Sequence, residues 1–250
     1  MVHDAHLTSR RRVTGHTLTE QDKSPVRYTQ RCIAAPTRTV APHHDIVNGV
    51  RAMRIGLMMG ALVEPILNAH LLDSARRYGG EGAQIEHLRI VDLPAYVPVP
   101  VDAALPTQVA QFHEHLLAVD GLVIFATQHL GGVTGAVKNA LDWMDLPGEV
   151  MRHKPVALAG VTSTGVSVFA ALQQVRSALS ALGATVMKQP EYILTIEPEA
   201  FSHHGLIEDV ELADDLSSFL TAARGYVAHE LRASVTDSSI VLANPHRLRA

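Results

Sequence analysis

Cysteine is all but missing from this 250-residue chain, where Cys32 stands alone. A single cysteine excludes an intrachain disulfide framework and is compatible with a reducing cytosol. Long hydrophobic runs are missing too: none approaches the roughly 20 residues that a membrane span requires. The sequence therefore predicts a soluble, cytoplasmic protein. The signatures of several nucleotide and hydrolase folds are lacking as well. No GxGxxG of dinucleotide binders, no GxxxxGK[ST] of P-loops and no G-x-S-x-G nucleophile elbow occurs. Histidine is plentiful at 15, but His43-His44 and His203-His204 are adjacent pairs with no convincing third ligand nearby, so no metal site is predicted.

Charge is sparse, with 18% Asp, Glu, Lys and Arg, and it is unevenly placed. Residues 1–52 hold eight Lys/Arg against four Asp/Glu, a net of +4; the remainder holds 13 against 21, a net of −8. An acidic body excludes broad nucleic-acid binding, which needs a basic stripe for phosphate contacts. Arg10, Arg11 and Arg12 are the one basic cluster suited to such contacts, and a solvated tail is the simpler explanation for them. Residues 1–52 show neither helical nor strand periodicity and contain no apolar core of a secretory signal, so they are expected to be a disordered tail. Residues 231–250 are expected to be a second tail.

What the chain does have, from Met53 to Glu230, is a regular alternation of apolar strands and helices. Arg54–Met59 reads as a strand, followed by a helix over Pro65–Tyr78 that Gly79 and Gly80 stop. A second strand is expected over Ala83–Leu93, then a Pro-rich connection and a helix over Thr107–Ala118. Gly121–Thr127 and Pro155–Val161 are wholly apolar, as strands covered on both faces must be. Helices are expected over Gly135–Met144, Ser167–Leu182 and Asp209–Glu230, with a last strand over Ala184–Ile196. Five strands alternating with helices imply a parallel sheet with helices on both faces. Such a sheet binds its ligand beyond the carboxyl ends of the strands, where strand order reverses. Function is therefore expected in three loops, at Met59–Val63, Thr127–Gly132 and Val161–Gly165.

The first loop runs Gly60-Ala61-Leu62-Val63-Glu64-Pro65, with Asn68 in the helical turn that follows. A strand–glycine–helix junction presents free backbone N–H groups at the positive end of a helix dipole, which suits a phosphate. Pro65 fits the first helical position, where its missing N–H would have been unpaired. An ordinary strand-to-helix turn accounts for the same residues. The second loop, Thr127-Gln128-His129-Leu130-Gly131-Gly132-Val133-Thr134, has paired glycines that let backbone approach a flat ligand. Gln128 and His129 offer hydrogen bonds or a stacking surface. The helix after it carries Lys138 and Asp142 four residues apart, a pairing worth about 0.2–0.5 kcal/mol. Trp143 is better read as a core or subunit-interface residue than as a ligand contact. The third loop, Thr162-Ser163-Thr164-Gly165-Val166-Ser167, is rich in hydroxyls, and a helix cap at Ser167 explains part of that.

Over roughly Arg54–Glu230 the chain resembles the NADPH-dependent FMN reductases and their quinone- and azo-reducing relatives. The first loop corresponds to that family's GSLRxxSxN. Residues 127–143, ending Lys138-Asn139-Ala140-Leu141-Asp142-Trp143, correspond to its PEYNGSIPGxLKNALDW, and Leu182-Gly183-Ala184 also matches. The resemblance implies a flavodoxin-like three-layer sandwich around a five-stranded parallel sheet of order 2-1-3-4-5. It implies FMN and NADPH as cofactors, a small-molecule electron acceptor as partner, and a homodimer or homotetramer. The residues it places at the cofactor are Gly60, Ala61, Leu62 and Asn68; Thr127, Gln128, His129, Leu130 and Gly131; and Thr162, Thr164 and Gly165. His129 is the one that would stack on the ring or donate a proton. The chain departs from the family where the phosphate-binding serine, arginine and second serine become Ala61, Val63 and Ile66. Glu64 adds a negative charge beside them. Losing two or three such bonds weakens FMN by about 10²–10⁴.

Two other classes compete with the enzyme. A response-regulator receiver needs carboxylates after the first and third strands, where Met58-Met59 and Ala126-Thr127 stand. A flavodoxin-like binding or regulatory protein that has lost tight FMN binding is the serious rival to the enzyme, and the replaced phosphate ligands are its case.

Overall fold

Burial on both faces selects apolar residues, and the three most apolar runs of the chain become the central strands of its sheet. The computed structural model describes residues 46–47, 50–60, 62, 65–80, 82–100, 103–145, 150–163 and 167–243, all in the unit Thr39–Ala250. A short antiparallel pair, β1 (Ile46–Val47) and β2 (Val50–Arg51), comes first. It lies inside the stretch expected to be a tail. The main sheet uses β3 (Met53–Met59), β4 (Ala83–His87), β5 (Gly121–His129), β7 (Pro155–Thr162), β8 (Thr185–Val186) and β9 (Tyr192–Thr195). The two-residue β6 (Gly132–Val133) folds back on the end of β5.

The order across the sheet is β4-β3-β5-β7, with β8 and β9 both against β7 and every pairing parallel. That is the expected 2-1-3-4-5 arrangement with its fifth position divided. β8 pairs with Pro155–Val156 and β9 with Ala159–Thr162. The expected single strand over Ala184–Ile196 breaks at Met187–Glu191, where Pro190 cannot donate to the ladder.

Among the described residues five helices cover the sheet: α1 (Pro65–Tyr78), α2 (Thr107–Ala118), α3 (Gly135–Met144), α4 (Phe169–Ala181) and α5 (Val210–Ala243). Alternation along the strands sends Met58, Leu122, Ile124 and Leu158 to the side packed by α2, α3 and α4. It sends Leu57, Val123, Phe125 and Ala159 to the side packed by α1 and α5. These are the three layers that the sequence implies.

Two further bounds differ from expectation. β4 is five residues long and gives way to a 3-10 turn at Ile90–Asp92, anchored by the Arg89–Asp92 ion pair at 2.6 Å. α5 runs 13 residues beyond Glu230, into the stretch expected to be a C-terminal tail. Its start is set by Asp209, whose Oδ1 accepts the Leu212 N–H at 2.9 Å, an N-cap bond to the third helical residue.

The N-terminal edge of the sheet is tied by charge. Arg54 forms a bidentate pair with Glu86, Nε to Oε1 at 2.5 Å and a terminal nitrogen to Oε2 at 3.0 Å. Its own N–H donates to Asp120 Oδ2 at 2.8 Å, and its carbonyl accepts the Asp120 N–H at 2.7 Å. Beside them Lys154 Nζ donates to the Val119 carbonyl at 2.8 Å.

Candidate functional site

Pairing of β3 with β5 and of β5 with β7 brings three strand tips side by side: Met59 pairs with Phe125, and Thr127 with Val161. Gly60, Thr127–Leu130 and Thr162 thereby share one edge of the sheet.

At the first tip, the Gly60 N–H donates to the Phe125 carbonyl at 3.0 Å. A Cβ at Gly60 would lie 2.1 Å from Thr127 Oγ1 and 2.7 Å from Thr134 Oγ1. Those hydroxyls are buried and 3.4 Å apart, so only glycine passes over them. Leu62 is buried, and its N–H donates to Asn68 Oδ1 at 3.1 Å. Asn68 therefore clamps the loop backbone. Ala61, with Val63 and Glu64, lies outside the described residues. α1 then begins at Pro65 with no acidic residue in its first turn. Its first N–H groups have no intrahelical acceptor, which leaves a positive helix end at the strand tips. Ile66, in that turn, is an exposed apolar side chain.

At the second tip, β5 overruns the sheet and returns as a tight hairpin. Gln128 pairs with Val133 and His129 with Gly132, leaving Leu130 and Gly131 as the two turn residues. Their φ values of 47° and 81° are both left-handed, the pattern of a type I′ turn. Glycine takes such a φ freely, whereas a left-handed leucine costs roughly 1 kcal/mol or more. The hairpin base is fixed by Val133 N–H to Gln174 Oε1 at 2.9 Å and Thr134 N–H to the Thr127 carbonyl at 3.3 Å. His129 is exposed, and Leu130 is 95% exposed. Gln128 Oε1 is buried without a donor among the described residues.

α3, which follows the hairpin, carries the Lys138–Asp142 ion pair on its exposed face, as its spacing predicts. Trp143 is wholly buried, a core residue. Its Nε1 donates to the Pro94 carbonyl at 2.7 Å. Asn139 Nδ2 donates to the same oxygen at 3.0 Å, and the Tyr96 N–H donates to Asn139 Oδ1 at 2.7 Å. Tyr96 meets Trp143 edge-on at 5.0 Å. The sequence treats Pro94–Tyr96 only as a Pro-rich connection. The distinctive α3 residues hold that segment in place, and no local sequence signal announces contacts more than 40 residues away.

At the third tip, Thr162 is buried and its carbonyl accepts the Ile196 N–H at 2.7 Å. Thr164 and Gly165 lie outside the described residues. Ser167 Oγ accepts the Phe169 N–H at 3.4 Å, while Val168 occupies the N-cap of α4, so the cap expected at Ser167 sits one residue early.

A cleft of about 500 Å³ opens elsewhere, between β9 and the start of α5, and includes Glu197, Glu199, Asp209, Glu211 and Asp215. None of the strand-tip residues lines it, and its carboxylates would repel a phosphate. Among the described residues no three His, Cys, Asp or Glu side chains are grouped to hold a metal ion, and no helix is long and apolar enough to cross a membrane.

Residues 53–199 match the family described as NADPH-dependent FMN reductase. The chain is 29% identical to the quinone reductase of Escherichia coli strain K12, over 68% of this chain and 93% of that protein. It is 27% identical to the NADH:(hydroxy)cinnamate reductase subunit CrdA of Vibrio ruber, over 63% and 79%. Among solved structures, the flavoenzyme NAD(P)H:(acceptor) oxidoreductase FerB of Paracoccus denitrificans superposes with a TM-score of 0.63 at 23% identity, covering 71% of this chain and 98% of that one. That likeness establishes the fold.

Proposed function

The chain belongs to the NADPH-dependent FMN reductase family, and from that membership we propose that it passes the hydride of a nicotinamide cofactor through FMN to a quinone. The overall change is NAD(P)H plus H⁺ plus quinone to NAD(P)⁺ plus hydroquinone, in which two electrons move and no net oxidant is left over. Bound FMN supplies the two-electron chemistry, and the protein supplies binding and orientation.

The observation that carries this reading is Gln128 Oε1 at the strand tips, buried with no donor among the described residues. Leaving such an acceptor unmet costs about 1–3 kcal/mol, so a ligand N–H is wanted there, and the imide of a flavin ring offers one. The positive end of α1, free of acidic residues in its first turn, fits the phosphate through backbone N–H groups. Gly60 lets the strand tip lie directly against Thr127 and Thr134. His129 is the residue proposed to stack on the ring or to give a proton, from its exposed place on the hairpin. Thr162, Thr164 and Gly165 are proposed at the pyrimidine edge. Asn68 acts indirectly in this reading, by holding Leu62. The acceptor could equally be an azo compound or a free flavin; relatives named as quinone reductases favour the quinone. A homodimer or homotetramer in the cytoplasm completes the proposal.

The competing reading is a binding or regulatory protein with little affinity for FMN. Its support is Ile66, an exposed apolar side chain in the turn where the family has a serine. Fluorescence titration of FMN with the purified protein separates the two. Quenching that saturates in the micromolar range, together with NADPH oxidation when a quinone is added, is the expected result. Undiminished fluorescence at high micromolar protein would favour the regulatory reading.

A further inference from the structure

The hairpin that ends β5 holds a leucine where its backbone least suits one. A type I′ turn needs φ > 0 at both central residues, and Asn-Gly is the favoured pair. Here the first position is Leu130 at φ 47°, followed by Gly131 at 81°. The folded chain does not compensate through packing, because Leu130 is 95% exposed. Nor is the tip free to fold its leucine onto the core, since Gln174 and Thr127 bind the hairpin at its base. A rigid turn thus displays an apolar side chain at the cost of backbone strain, and strain of that kind collects where ligands are held.

Two other large apolar side chains are exposed at the same edge. Ile66 is 56% exposed in the first turn of α1, which follows β3, and Phe169 is 55% exposed as the first residue of α4, which follows β7. The strand tips are therefore rimmed with hydrocarbon. The nearest cation on α3, Lys138, is already paired with Asp142.

We propose that Leu130 is a specificity-determining residue: its side chain is an apolar wall that selects flat, uncharged acceptors over charged ones. The inference rests on the flavin-dependent reading above and deepens it, since it says what class of acceptor that site takes.

The test is Leu130→Asn, which suits the left-handed turn and removes the apolar wall, with Leu130→Met as the conservative partner. At saturating FMN, kcat/KM is measured for menadione, an uncharged naphthoquinone, and for ferricyanide, a charged acceptor. The asparagine variant should lower the menadione-to-ferricyanide ratio about tenfold, equivalent to about 1.4 kcal/mol. Its melting temperature should hold or rise, which a merely structural role for Leu130 would not allow. The methionine variant should keep the wild-type ratio within about twofold. An unchanged ratio in L130N overturns the inference, and so does an L130M ratio as low as that of L130N. Dissociation of an oligomer in L130N with the ratio intact also overturns it, by assigning the leucine to a subunit interface. A wild-type protein that reduces neither acceptor sinks the flavin reading itself, whereas an active wild type with an unmoved ratio sinks this inference alone.

Discussion

The two edges of the central sheet are built on opposite terms. At the N-terminal edge, Arg54, Glu86 and Asp120 satisfy one another through two ion-pair bonds and two backbone bonds, and Lys154 finds the Val119 carbonyl. At the C-terminal edge, Gln128 Oε1 has no donor among the described residues, Leu130 sits in a left-handed turn, and Leu130, Ile66 and Phe169 expose hydrocarbon. The positive ends of α1 and α4 lie at that edge as well. A chain that ties one end of its strands with charge can hold the other end unfinished, because the central strands β5 and β7 are buried along almost all their length and cannot shift. The difference separates residues that keep the fold from residues that meet a ligand, and substitutions at three positions probe where the line falls.

The largest effect is expected at Trp143, which looks like part of the functional edge but belongs to the core. It is fully buried, stacks edge-on against Tyr96 and donates to the Pro94 carbonyl. Trp143→Ala should lower the unfolding free energy by about 3–5 kcal/mol in urea titration. Trp143→Phe should cost less, since it refills most of the volume and forfeits chiefly the bond to Pro94, worth about 0.5–1.5 kcal/mol because that carbonyl keeps its bond from Asn139. A loss below 1 kcal/mol for the alanine variant would place Trp143 on the ligand side of the line.

Next in size is Lys154, the weak point of the satisfied edge. Burial lowers its pKa from 10.5 to about 8, with the Asp120 carboxylate pulling the other way. Below pH 8 the amine is protonated in both folded and unfolded chains. Between about 8 and 10.5 the unfolded chain binds a proton that the folded chain does not, so this group makes stability rise with pH across that window. The gap corresponds to about 3 kcal/mol. Lys154→Met removes the group, so its stability advantage over wild type should be greatest below pH 8 and shrink by up to about 3 kcal/mol by pH 10.5. The unpaired Val119 carbonyl that it leaves adds the same offset at each pH. Urea titrations at pH 7, 9 and 10.5 read the slope, and a difference that stays flat would mean the charge is not buried.

Much of this architecture was legible in the sequence, and the misses have physical causes. α1, α2 and α3 have the expected bounds because apolar periodicity, Pro65 and the glycines after Tyr78 all mark the same positions. The parallel sheet followed from strands too apolar to face water. β4 stopped early because Arg89 and Asp92 pair across a turn, a contact between residues that a strand would have kept apart. The fifth strand divided at Pro190. α5 ran on to Ala243 because nothing after Glu230 breaks a helix before Pro245. In the site, the glycines of the second loop were visible but its hairpin was not. Leu130-Gly131 lacks the Asn-Gly signature, and the turn forms because β6 and Gln174 over-determine it from outside. The resemblance places Asn68 at the cofactor; its Oδ1 also binds Leu62 across a loop whose course the sequence does not reveal.

The smallest expected effect tests that over-determination. Gln174 Oε1 accepts the Val133 N–H in an exposed position, and a Cβ at Gly132 would lie 3.1 Å from the same oxygen. An exposed bond of this kind contributes about 0.5–1 kcal/mol, so Gln174→Ala should barely move the melting temperature. Its consequence should be local, because the bond joins α4 to a two-residue strand rather than to the buried sheet. Amide hydrogen exchange at Val133 should quicken by roughly the factor of 2–5 that such an energy implies, while amides of Leu122–Ala126 in β5 keep their protection. If the β5 amides quicken in step with Val133, the hairpin and the sheet open together. The C-terminal edge would then be part of the cooperative core rather than a strained attachment to it.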